Sequence, residues 1–151
     1  MTTTGREQVA SAISQMIDRT RQSVYREMLA VTTDLAGYVK REKLSGQVLR
    51  RVSGDLSRSV SSNTTINGDI ILGTVGTNLF YGRVHEYGFS GNVAVSAHTR
   101  KSKYGMQNVR AHTRNMRFPE RSFLRTSLKE QLPDIRQRLA NALVRGLNGA
   151  A

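Results

Sequence analysis

Apolar residues recur at helical spacing from Gly5 to about Lys40: Val9, Ile13, Met16, Ile17, Val24, Met28, Val31, Leu35, Tyr38 and Val39. Steps of three, four and seven dominate, the period of an amphipathic helix. Arg6, Gln15, Arg19, Arg26 and Asp34 fill the other face. A helix of that length spans about 50 Å, longer than a compact domain of 151 residues. The pattern therefore predicts one of two outcomes. Either the helix breaks near Thr20–Ser23 or Thr32–Thr33, or part of it leans on a neighbouring subunit. Thr4 with Glu7 three residues on suits a capping box at its start.

Length and composition bound the rest. The chain is expected to be a single domain, 1–151, and one of this size buries roughly 70% of its unfolded surface. It has no cysteine, which removes disulfides, thiolate metal sites and cysteine nucleophiles and suits a reducing compartment. No apolar run approaches the ~18 residues of a membrane span, and the first residues lack the hydrophobic region of a signal peptide. The expectation is a soluble chain made in the cytoplasm, with no membrane partner.

The net charge of +12 is segregated. Residues 1–39 are neutral, 40–58 carry +4, 59–97 carry −1, 98–125 carry +7 and 126–151 carry +2. Two basic segments of this kind form an electrostatic footprint for an anionic partner, nucleic acid or an acidic protein face. The plainer alternative is a solvated surface that keeps the protein soluble.

After a charged connector at Lys40–Gly46, Val48, Leu49 and Val52 suit a core edge. Ser53 suits the N-cap of a short helix through Val60. Asn67-Gly68-Asp69 carries a hairpin signal between a polar strand from Ser61 and an apolar strand, Ile70–Val75, that reads as buried. Val75–Gly88 then reads as a packing hub, with Leu79, Phe80 and Val84 apolar and the glycines Gly76, Gly82 and Gly88 giving turns or close approach. Strands are expected from Asn92 to Arg100 and from about Met106 to Arg114. They form a protruding basic hairpin over 92–117 with Arg100, Lys101, Lys103, Arg110, Arg114 and Arg117. Ala97-His98-Thr99-Arg100 recurs as Ala111-His112-Thr113-Arg114. A turn near Tyr104-Gly105 would set His98 near His112 and Arg100 near Arg110, a costly pairing of like charges unless an anion or partner offsets it.

From Pro119 the helical period resumes, with Phe123, Leu124, Leu128, Leu132, Ile135, Leu139, Leu143 and Leu147. A C-terminal helix over 120–147 follows, with a kink or restart at Pro133, since an interior proline costs about 3 kcal/mol. The tail from Gly146 is expected to fray. The architecture is thus α+β: a long N-terminal helical segment over 1–43, a small antiparallel sheet with an extended β-hairpin, and a C-terminal helix.

The residues do not assemble a convincing active site. His98 and His112 supply two zinc ligands where three or four are usual. His85 and Glu86 are neighbours that point about 100° apart on a helix. The glycine spacing fits neither a phosphate loop nor a dinucleotide fingerprint. No catalytic, cofactor-binding or metal residue is assigned, and the protein is expected not to be an enzyme.

Three ordered segments carry a resemblance. Ser45-Gly46-Gln47-Val48-Leu49 with Ser53-Gly54-Asp55-Leu56-Ser57-Arg58-Ser59-Val60 resembles the "tG-x-L-x-x-S-i" element of the tail-completion and head–tail joining (neck) proteins of long-tailed bacteriophages. Val75-Gly76-Thr77 followed by Tyr81–Gly88 is similar to that family's "vGt…Ya-x-x-x-E-x-G" element, and Pro119–Leu128 to its "a-R-P-F-L-r-x-a-L" element. Ser122 stands where proline is usual and Gly82 where alanine is usual. The resemblance covers roughly residues 44–128. It implies a structural virion protein at the neck that completes or terminates the tail, joins it to the DNA-filled head and is assembled in the host cytoplasm. It further implies a homo-oligomeric ring, commonly hexameric, whose partners are the tail-tube protein and head connector or stopper proteins. In that setting Tyr81, Arg83, His85, Glu86 and Tyr87 hold subunit or partner geometry, and the basic hairpin meets a partner or passing DNA. The alternative function is a non-specific nucleic-acid-binding protein that uses the basic hairpin.

Overall fold

The computed structural model describes residues 5–46, 48–49 and 53–149. The Thr4 cap, the Val52 core position and the last two residues of the tail lie outside them. The fold is α+β, with a helix at each end and three two-stranded antiparallel ladders in place of one sheet. The chain divides into two compact units, Met1–Leu79 with Phe123–Ala151, and Phe80–Ser122.

In the first unit, α1 (Gly5–Tyr38) is one uninterrupted helix of 34 residues. It does not break at either threonine-rich point. The hydroxyls of Thr20, Thr32 and Thr33 bond back to the carbonyls of Met16, Met28 and Leu29 at 2.7, 2.9 and 2.8 Å. Such back-bonds bend a helix mildly at most, and the C-terminal helix and the first hairpin pack along α1 and carry it through both points. A π-helical turn, Val39–Lys43, ends it and is closed by the Leu44 N–H on the Val39 carbonyl.

Helix α4 (Leu124–Asn148) runs antiparallel along α1. The backbones come close at Gly146, where a Cβ would lie 2.4 Å from Thr20 Cα. Nearby, Ser23 Oγ donates to the Ala142 carbonyl at 2.7 Å. Arg138 reaches Glu27 at 2.7 Å and Asp34 at 2.8 Å, and Arg145 reaches Glu27 at 2.9 Å. The Arg138 pKa is raised further by its hydrogen bonds to Asp34 and Glu27. The helix continues through Pro133 without a restart, and Gly146 is buried inside it, so the helix holds to Asn148 where fraying is expected. It begins at Leu124, four residues after the end of the Pro119-Glu120 pair that the sequence favours as its start.

The core gathers where the two helices meet the following loop: Ala36, Val39, Leu44, Leu49, Val60 and Phe123, with Val48, Leu56, Val75 and Leu124 against it. Helix α2 (Asp55–Ser59) is short, capped at Gly54, with the Ser53 hydroxyl accepting from the Asp55 N–H. Strands β1 (Val60–Asn67) and β2 (Ile70–Thr77) form the hairpin that Asn-Gly predicts, Asn67 opposite Ile70. This hairpin lies on α1, where Thr32 and Thr64 hydroxyls meet at 3.1 Å. Only one face of β2 is covered. Ile70 and Leu72 point outward and are exposed, so the strand is half-buried rather than buried.

Glu130 on α4 accepts from Tyr38 Oη and from Lys43 Nζ, each at 2.8 Å. Lys43 first, then Tyr38, holds its carboxyl below the usual glutamate value, and the same bond raises the Tyr38 phenol. Such a group stabilises fully above its unfolded pKa and loses that contribution as pH falls through the lowered value. A side-chain NMR titration is expected to place the Glu130 midpoint below an ordinary glutamate, and Lys43→Met is expected to raise it.

The second unit contains α3 (Phe80–Tyr87) and four strands: β3 (Phe89–Val95), β4 (His98–Ser102), β5 (Gly105–Val109) and β6 (His112–Phe118). β3 pairs with β6 and β4 with β5.

Candidate functional site

Helix α3 sorts its side chains by position. Gly82 and Glu86, four residues apart, are its buried face, and Glu86 is only 3% exposed. Its carboxylate accepts from Ser122 Oγ at 2.7 Å, while the Arg121 N–H donates to the His85 carbonyl at 2.8 Å. Together these bonds tie the segment that returns from the strands back onto α3. Ser122 stands where the similar motif has proline, which carries no hydroxyl to donate. Gly88, in the left-handed region at φ 71°, completes the tie. A Cβ there would lie 3.0 Å from the Glu120 nitrogen and 3.1 Å from the Phe118 carbonyl oxygen. Gly76 needs no such freedom, because it lies within β2 opposite Ser61 and not in a turn.

The opposite side of α3 is aromatic and exposed. Tyr81 and His85 meet edge to face at 6.3 Å, with ring planes at 86°. Phe80 is 82% exposed, which removes it from any packing hub; Leu79 and Val84 are half-buried, and the core forms in the other unit. Phe80, Arg83, Val84, Tyr87, Gly88 and Phe89 line a concavity of about 680 Å³. Of the five residues expected here, Tyr81, Arg83 and Tyr87 are exposed, His85 is half-buried, and Glu86 turns inward. Phe80 and the cross-strand pair Phe89 and Phe118 extend the aromatic surface. Sequence periodicity misses them because it shows that a residue is apolar, not whether anything covers it.

The four strands form one ribbon. Phe89 to Val95 pair with Phe118 to His112, and His98 to Ser102 pair with Val109 to Gly105, in a single unbroken register. Each arm counts fourteen residues, 89–102 and 105–118, which span about 45 Å. The turn is the two residues Lys103-Tyr104. His98 therefore stands opposite Val109, and Arg100 opposite Gln107. The expected approaches of His98 to His112 and of Arg100 to Arg110 do not occur, and with them goes the two-histidine metal geometry. Among the described residues, no group of three or more His, Cys, Asp or Glu is placed to hold a metal ion.

The internal sequence repeat nonetheless has a structural counterpart. The ladder is interrupted at Ser96-Ala97 on one arm and Arg110-Ala111 on the other. At each interruption the next residue is a histidine that folds back. His98 Nδ1 lies 2.9 Å from the Ser96 carbonyl and His112 Nδ1 lies 3.0 Å from the Arg110 carbonyl. A carbonyl only accepts, so Nδ1 carries the proton in both rings. Each repeat thus satisfies an acceptor next to the gap in the ladder.

Charge is the ribbon's main chemical property. Arg100, Lys101, Lys103, Arg110, Arg114 and Arg117 all lie on it, and no carboxylate occurs from Phe89 to Phe118. All six are exposed, and among the described residues none forms an ion pair. Tyr104 and Met106 are exposed at the tip. An isolated two-stranded ribbon is marginally stable in water, and unbalanced like charge lowers that stability further.

The model of the phage virion morphogenesis family matches residues 9–144. The chain belongs to this family: it is a structural or assembly protein of the phage virion, from a family not known for enzymes. No curated protein and no solved structure matches the chain. Among the described residues, no helix is long and apolar enough to cross a membrane.

Proposed function

We propose that this protein completes or terminates the phage tail and joins it to the DNA-filled head. It acts as a homo-oligomeric ring, hexameric at the tail end, at the head–tail junction. The observation that carries this reading is the pair of uncovered surfaces on Phe80–Ser122 of a virion morphogenesis protein. One is the aromatic face of α3 with Arg83, and the other is a ribbon with six unpaired cations. Exposed aromatics around an arginine have the composition of interface hot spots. A ribbon of one charge sign suits acidic faces of tail-tube and connector or stopper proteins, with charge guiding encounter and register. Glu86 positions the α3 face from within.

Phage carrying Arg83→Ala with Tyr87→Ala tests the reading, since both side chains are exposed and the fold should survive. Negative-stain images are expected to show separate heads and tails. Joined particles at wild-type yield would overturn it.

A second reading, contact of the ribbon with passing DNA, is favoured by the absence of carboxylates along its whole length. Backbone attraction of this kind is insensitive to base sequence and steep in salt. Duplex binding is expected at low salt and lost at physiological salt. Lys101→Gln with Lys103→Gln is expected to reduce the salt slope by about 2, one for each phosphate contact removed. No binding at low salt would rule this reading out and leave the protein faces as the ribbon's partners.

A further inference from the structure

Helix α1 is longer than the helix it packs on. Gly146 and Gly149, at the end of α4, lie against Thr20 and Arg19, so residues 5–18 of α1 extend past that end by about 20 Å. This overhang is amphipathic, not uniformly polar. Val9, Ile13 and Ile17 repeat every four residues and are 60%, 49% and 51% exposed. At four-residue spacing they form one ridge. At the root of the overhang lies a groove of about 300 Å³, with Met16, Ile17, Val24, Ile71, Leu143 and Leu147 in its wall. A protruding apolar ridge and an apolar groove therefore sit side by side on one unit.

We infer that the α1 overhang docks on a second copy of this chain, the ridge of one copy seated in the groove of the next. Charge selects the occupant. The overhang carries Arg6, Glu7 and Asp18, a net of −1 on a chain of +12, so it is where copies of this basic protein meet without strong repulsion. Its polar face carries one cation, Arg6, against Glu7 and Asp18, not the cluster of lysines and arginines that holds an amphipathic helix on an anionic membrane, and the same balance argues against nucleic acid. The groove offers matching chemistry, apolar side chains with the mutually neutralising Arg21–Asp69 ion pair beside them. A heterologous contact of ridge and groove generates rings when its rotation closes. The inference rests on the ring reading for its setting but is tested apart from it.

The chain has no cysteine, so single-cysteine variants report on the contact without background. Ile13→Cys and Leu147→Cys, purified separately, mixed and oxidised, are expected to form the mixed disulfide. In native mass spectrometry Ile13→Asp is expected to lose the wild-type oligomer with unchanged helical circular dichroism. Ser14→Asp, on the polar face, is expected to keep it. An oligomer that persists in Ile13→Asp, with no mixed disulfide, would overturn this contact and leave the ring to other surfaces. A wild-type protein that stays monomeric at micromolar concentration would overturn it as well. So would cross-linking of Ile13→Cys to a different virion protein in assembled particles.

Discussion

Phe123→Ala is expected to destabilise the helical unit by about 3–5 kcal/mol, the cost of truncating a buried aromatic whose cavity refills only in part. Phe123 is 0% exposed and is the largest fully buried side chain among the described residues. It fills the point where the start of α4 meets Ala36 and Val39 at the end of α1, Leu44 and Leu49 in the loop, and Val60 at the start of β1. Losing it opens a cavity in the cluster that these segments build. Total stabilities of domains are about 5–15 kcal/mol, so the loss is a large fraction of what is available. Urea unfolding followed by circular dichroism checks it: the midpoint should fall with little change in slope. A loss under about 1 kcal/mol would mean that the core closes over the gap and that Phe123 does not organise it.

The second large effect is expected at Glu86. Glu86→Ala removes the buried acceptor of the Ser122 hydroxyl. A hydrogen bond to a charged group contributes about 1.5–3 kcal/mol. The bond lies within Phe80–Ser122, so its loss is read in that unit. The Arg121 N–H, held on the His85 carbonyl at 2.8 Å, is the natural reporter. Its hydrogen exchange is expected to rise roughly 10- to 150-fold if the tie opens locally. Glu86→Gln keeps an acceptor oxygen and should cost less. Unchanged exchange at Arg121 in Glu86→Ala would show that Gly88 and the backbone hold the return segment without the carboxylate.

The elements easiest to read in the sequence depend on near neighbours alone. Two helical periods, at Val9–Val39 and Phe123–Leu147, give the two long helices. Asn67-Gly68 gives the β1–β2 hairpin because the turn residues themselves choose its backbone. What depends on distant partners was harder to read. Leu79, Phe80 and Val84 have the spacing of a packed face, but nothing in the spacing shows that Phe80 meets solvent. The sequence shows the ribbon's strands but not their register. Lys103-Tyr104 forms the turn, and a shift of turn position moves every cross-strand partner, which separates His98 from His112. Helix α1 was legible in length, and that length left a choice between a break and a neighbouring subunit. Packing against α4, β1 and β2 carries it past both threonine-rich points unbroken, and its first turns remain uncovered in the single chain.

At the candidate site, charge was the most readable feature, since six cations without a carboxylate need only counting. The direction of each α3 side chain was less so. Tyr81, Arg83 and Tyr87 face outward, whereas Glu86 is buried and accepts from Ser122, a residue 36 positions away in sequence. No local pattern encodes that pairing. Its one trace is the serine at a position where the similar motif has proline.

The proposed place of this protein at the neck is tested most directly by electron cryomicroscopy of intact particles, with the chain located by a tag on its N-terminus. The account predicts a closed ring of copies at the head–tail junction, with the basic ribbons directed at a tail or connector protein or at the channel. Particles that lack the protein altogether, or that carry it only as isolated copies away from the junction, would contradict it.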